Sequence, residues 1–143
     1  MHEKEEGRDH DPSLNIFPLS GVLNTMPART TYTKGREVEY LARDLLIAGG
    51  YQVVRNAGSL SPIDLVAWQD SGHPVLVQVK RNKTHLDGTA LIAQAYRRDI
   101  EALRRMARPV GSNVELWVWT LNKGWRFYSI LPGGICEVSD HGV

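Results

Sequence analysis

Between Thr33 and Ala48 the apolar residues Val38, Leu41, Ala42, Leu45 and Leu46 recur at i, i+3, i+4, i+7 and i+8. That spacing gathers them on one stripe of an amphipathic helix. Thr33 can cap its start, Glu37 suits its first turn, and Gly49-Gly50 ends it. The hydrophobic period then shortens to two. Tyr51–Arg55 reads as a short strand, Asn56–Ser59 as a loop, and Ile63–Trp68 as a second strand. Asp70-Ser71-Gly72-His73 has the composition of a turn, and Val75–Lys80 returns as a third strand. Beyond a polar loop over 82–88, helical spacing runs from Thr89 to Arg108 through Ile92, Ala95, Tyr96, Ile100, Leu103 and Met106, interrupted only by Asp99. Pro109 and Gly111 terminate it. Val114–Thr120 and Trp125–Leu131 are rich in β-formers and flank an Asn122-Lys123-Gly124 turn. These elements predict an α/β domain with a mixed central sheet of about five strands, flanked by helices.

The period-two segments also place chemistry. In a strand, residues two apart share a face. Val75, Val77 and Val79 therefore take one face, and Leu76, Gln78 and Lys80 the other. Asp64, Val66 and Trp68 share a face of the preceding strand. A hairpin closed at 70–73 brings Asp64 beside the Gln78/Lys80 end. A carboxylate, an amide oxygen and an ammonium then occupy one small space. Carboxylate and carbonyl oxygens suit hard cations such as magnesium, and the Lys can steady charge on a phosphate or orient a water. Those parts suit metal-assisted phosphodiester hydrolysis.

Four short motifs, in order and at matching spacing, carry a resemblance over about 50 residues from Lys34 to Lys83. They are Lys34-Gly35 with Glu39 four residues after the Gly; Arg55-Asn56-Ala57-Gly58-Ser59; Asp64-Leu65-Val66-Ala67; and Gln78-Val79-Lys80. The segment resembles the archaeal-type Holliday junction resolvases of the PD-(D/E)XK nuclease superfamily, whose last motif is Glu-x-Lys. Position 78 departs from that pattern, offering a carbonyl oxygen without a charge. Restriction endonucleases of the Mrr type are similar to this chain in using Gln-x-Lys.

The resemblance implies a restriction-endonuclease-like core and a structure-specific endodeoxyribonuclease that resolves four-way junctions as a homodimer. It implies magnesium, with manganese able to substitute, on Asp64, Gln78, the Val79 carbonyl and Glu39. It implies Lys80 orienting or deprotonating the attacking water, and Ser59 near the scissile phosphate. Lys34, Arg36, Arg55, Arg81 and Lys83 surround these motifs and are expected to contact DNA phosphates, the main source of non-specific affinity. Two alternatives accompany this reading. One is an Mrr-like restriction or repair nuclease on duplex or flapped DNA; the other is a non-catalytic DNA-binding protein on the same fold.

Charge adds little to this picture as a whole and more when divided. The formal net charge is +1. Residues 1–29 carry Lys4, Arg8 and Arg29 against Glu3, Glu5, Glu6, Asp9 and Asp11, a net of −2 that leaves +3 for the remainder. A modestly basic body is compatible with DNA. The same 29 residues include Pro12, Pro18 and Pro27 and read as a flexible or partner-docking arm, with the nuclease domain at 30–143. The single cysteine, Cys136, excludes an internal disulfide and a cysteine-cluster zinc site. It suits a reducing compartment, so an intracellular, DNA-associated protein is expected. No secretory signal or membrane-length apolar run is present in this sequence. The helix at 89–108 bears Arg97, Arg98, Arg104, Arg105 and Arg108, a solvated face or a second DNA contact. Trp117, Trp119, Trp125, Phe127 and Tyr128 exceed what one core face is expected to hold, which points to a subunit interface.

Overall fold

The computed structural model describes residues 31–58 and 60–139. The expectations for the 1–29 arm and for Ser59 lie outside the described residues. Helix α1 (Thr31–Ala48) is followed by strands β1 (Gln52–Arg55), β2 (Leu65–Trp68) and β3 (Val75–Asn82). Helices α2 (Gly88–Ala95) and α3 (Arg97–Arg105) lead to β4 (Asn113–Thr120), β5 (Gly124–Leu131) and β6 (Gly134–Val138). The strands form one mixed sheet in the order β1-β2-β3-β4-β5-β6. Only β3 and β4 run parallel, with α2 and α3 in the crossover between them.

The alternation read from sequence decides which helix covers which face. Val75, Val77 and Val79 pack with Val38, Ala42 and Leu46 of α1, together with Leu65, Ala67, Trp117 and Phe127. Leu76 packs on the opposite face with Ile92, Ile100 and Leu103 from α2 and α3. Leu103 is fully buried. Its truncation to Ala is expected to destabilise the protein by about 2–5 kcal/mol, measurable as a lower denaturant midpoint.

The structure refines the strand count and corrects the reading of both helices. The sheet has six strands, because the two-residue Pro132-Gly133 loop folds Gly134–Val138 back onto β5. That segment is short and begins with Gly, so its composition gives little strand signal. The helix at 89–108 is two helices, parted at Tyr96 (φ −111°, ψ 30°). The apolar spacing continues across this break, so periodicity cannot reveal one residue outside helical geometry. The first helix begins at Thr31, placing Thr33 inside its first turn rather than at its cap. The aromatic residues divide between the two core faces, so the five do not all share one. Trp117 and Phe127 are buried on the α1 face, where Trp119 and Trp125 pack against them, while Tyr128 is buried on the other. Edge-on contacts of Trp117 with Trp125 (5.8 Å) and Phe127 (4.6 Å) let one face hold four rings.

Candidate active site

Asp64 stands immediately before β2, and its backbone is held from both sides. Its N–H donates to the Val77 carbonyl (2.8 Å), and its carbonyl accepts from the Asn56 N–H (2.8 Å). Asn56 Nδ2 also donates to the Ile63 carbonyl (3.0 Å), so the loop after β1 braces the segment carrying Asp64. The carboxylate then takes a main-chain donor of the neighbouring strand: Val79 N–H donates to Asp64 Oδ2 at 2.8 Å. Asp64 is thus fixed beside the Gln78-Val79-Lys80 stretch, as the hairpin reading requires.

Its charge sits in an unfavourable place. Burial pushes the Asp64 carboxyl up to about 6 from an ordinary 3.8, and the nearby Glu39 charge pushes the same way. The Val79 N–H, Lys80 and Arg55 oppose the rise without cancelling it. A carboxylate held where its charged form is disfavoured is a common mark of a functional site.

Gln78 projects from β3 on the face under α3 and is buried. Its amide nitrogen donates to Asp99 Oδ1 of α3 at 3.4 Å. Its Oε1 is buried with no hydrogen-bond partner. An unsatisfied buried carbonyl oxygen is costly, and a cation would supply what it lacks. Lys80, two residues on, pairs with the same Asp99 oxygen at 3.2 Å. Among the described residues no three His, Cys, Asp or Glu side chains stand together as a metal site. The Asp64 carboxylate and the orphaned Gln78 Oε1 are oxygens of the kind a hard cation takes. Asp99 carried no role in the sequence reading. The available signal was its position as the one acid in an apolar helical stripe.

Glu39, on α1, is half-buried and accepts from Arg55 Nε at 3.0 Å. Arg43, four residues along the helix, pairs with Asp44. Three guanidinium groups, from Arg36, Arg43 and Arg55, lie about the Tyr40 ring at 6.0, 4.8 and 5.0 Å. Among the remaining candidates for DNA contact, Lys34 is half-buried and Lys83 exposed. Arg81 lies over the Trp119 ring at 5.6 Å, on the sheet face opposite Lys80. Arg104 and Arg105 of α3, and Arg108 beyond its end, are engaged in structure. Arg104 binds Glu101 and the Leu131 carbonyl, Arg105 binds Glu101, and Arg108 binds the Leu103 and Arg104 carbonyls.

A family model, Mrr_cat, described as restriction endonuclease, matches residues 31–115. The chain belongs to this restriction endonuclease family. The matched range runs from α1 to the start of β4 and so spans the positions of the four motifs. This restriction endonuclease domain is also similar in fold to Hjc, a Holliday junction resolvase from the archaeal hyperthermophile Archaeoglobus fulgidus. The two are 22% identical, with a TM-score of 0.52, over 75% of this chain and 84% of that one. No curated protein matches the chain. The family and fold identify a nuclease of the PD-(D/E)XK kind, and such nucleases generally use divalent metals. No helix among the described residues is long and apolar enough to cross a membrane.

Proposed function

We propose that the chain is a magnesium-dependent endodeoxyribonuclease that resolves four-way DNA junctions as a homodimer, with manganese able to replace magnesium. The observation that carries this reading is the buried, unsatisfied Gln78 Oε1 in a strand whose Val79 N–H holds the Asp64 carboxylate. In this reading Asp64, Gln78 Oε1 and the Val79 carbonyl hold the cation, with Glu39 beside them. A divalent cation held there would supply Lewis-acid stabilisation of the phosphate's developing charge and would make water easier to deprotonate. Lys80, an ammonium paired with Asp99, orients the water that attacks phosphorus in line as the bond to the leaving ester oxygen breaks. Ser59 is proposed to support the scissile phosphate. Arg55, held by Glu39, can turn to a phosphate when DNA enters, as can Lys34, Arg36, Arg81 and Lys83. A junction presents two symmetric strands, so a two-fold dimer would offer two sites to them. The family match begins at residue 31, which supports reading 30–143 as the nuclease domain and 1–29 as a separate arm.

A second reading, cleavage of linear duplex, is favoured by the restriction endonuclease match and by Gln78 in place of Glu. Substrate choice separates the two. A labelled four-way junction and a linear duplex of the same sequence are incubated with the protein in magnesium. Paired symmetric nicks confined to the junction are expected; equal cutting of the duplex would establish the second reading. Lys83→Ala is expected to weaken junction binding uniformly across sequences and to reduce the slope of log K against log salt by about one. A salt titration by fluorescence anisotropy checks this, and an unchanged slope would remove Lys83 from the DNA contacts.

A further inference from the structure

We propose that Asp99 is a positioning residue of this nuclease site: it holds the Gln78 amide in the orientation that leaves Oε1 available to a cation, and it fixes Lys80 beside it. The inference rests on the site reading given under Proposed function. Asp99 lies on α3, in the crossover between the two parallel strands, between Tyr96 and Ile100 of the stripe that packs on the sheet. One of its oxygens meets two partners. Oδ1 accepts from Gln78 Nε2 at 3.4 Å and pairs with Lys80 Nζ at 3.2 Å.

The chemistry of these groups is directional. A glutamine side chain has two ends of similar shape, one only donating and one only accepting. An ionised carboxylate has no proton to give, so it can face only the donating end. With Nε2 turned to Asp99, Oε1 is the end left over, and it is buried without a partner. Removing Asp99 would let the amide rotate and present an N–H₂ group to the cation. The same contact accounts for an amide at 78. A glutamate there would set a second carboxylate against Asp99 in a buried place, and like charges at that distance disfavour ionisation of one of them. Asp99 also holds Lys80 on the Gln78 face by an ion pair between half-buried partners.

Partners that orient a metal-binding side chain typically alter metal affinity or activity 10–100-fold when lost. The test measures manganese binding by calorimetry in the full chain, alongside single-turnover cleavage and thermal unfolding. Asp99→Ala is expected to weaken manganese binding about tenfold or more and to lower the cleavage rate, with junction binding in chelator unchanged. Asp99→Asn keeps an acceptor oxygen and is expected to recover most of the metal affinity. Gln78→Glu with Asp99→Asn is expected to bind manganese more tightly than Gln78→Glu alone, because the like-charge contact is gone. Wild-type manganese affinity in Asp99→Ala, or a double variant no better than Gln78→Glu, would overturn the proposal while leaving the site reading intact, provided Asp64→Asn abolishes binding. No manganese binding by the wild type would overturn both.

Discussion

Asp64→Asn is expected to abolish cleavage and, in the absence of metal, to make the protein more stable. Both effects have one cause. The asparagine oxygen can still accept the Val79 N–H that the carboxylate accepts at 2.8 Å, and the volume is unchanged. What is lost is a negative charge in a place that disfavours it. The folded protein holds the Asp64 proton more tightly than the unfolded chain, at about 6 against 3.8. The sign follows from linkage: no stability is lost below about 3.8, the deficit grows as pH rises through about 6, and it is complete above. The full gap corresponds to about 3 kcal/mol, and the partial exposure of the side chain reduces this to roughly 1–2 kcal/mol. At pH 8 without metal, Asp64→Asn should therefore unfold at a higher denaturant concentration than wild type, with the difference vanishing near pH 4. A variant less stable than wild type at pH 8 would contradict the account of Asp64. Metal binding needs the ionised form, so wild-type manganese affinity should fall about tenfold per pH unit below about 6.

Lys80→Ala is expected to lower the cleavage rate by about 10²–10⁴ while leaving junction binding in calcium nearly unchanged. Lys80 is one cation among many for binding, but it stands on the same strand face as Gln78 and is fixed by Asp99. Lys80→Arg should restore little, because a planar guanidinium does not reproduce the compact ammonium that pairs with Asp99. Single-turnover kinetics with prebound junction separates the two quantities. A loss confined to binding, with the cleavage step intact, would make Lys80 a phosphate contact only.

Period-two alternation was sufficient to place Gln78 and Lys80 on the face opposite Val75, Val77 and Val79, because a strand has only two faces and the valines demanded the α1 core. It also placed Asp64 beside them, since the turn at 70–73 leaves little freedom of register. Other features depend on contacts between segments distant in sequence. The Glu39–Arg55 pair joins a helix to a strand 16 residues away, and the motif spacing named both residues without giving their contact. Asp99 meets Gln78 across 21 residues; an acid inside an apolar stripe was visible, but its partner was not. The division of the aromatic rings between the two faces is another such feature. Composition counts rings, whereas edge-on packing of Trp117, Trp125 and Phe127 decides how many one face can hold. Strand β6 was missed because its pairing with β5, rather than its own β-propensity, makes it a strand.

The proposed divalent-metal nuclease site consists of Asp64 and the Gln78-Val79-Lys80 strand. The most direct measurement is cleavage of a labelled four-way junction by wild type and by Asp64→Asn, with magnesium present or removed by chelator. Such a site predicts nicks with the wild type in magnesium, none in chelator, and none with Asp64→Asn in either condition despite tight junction binding. Cutting that persists in Asp64→Asn, or that proceeds equally in chelator, would contradict it.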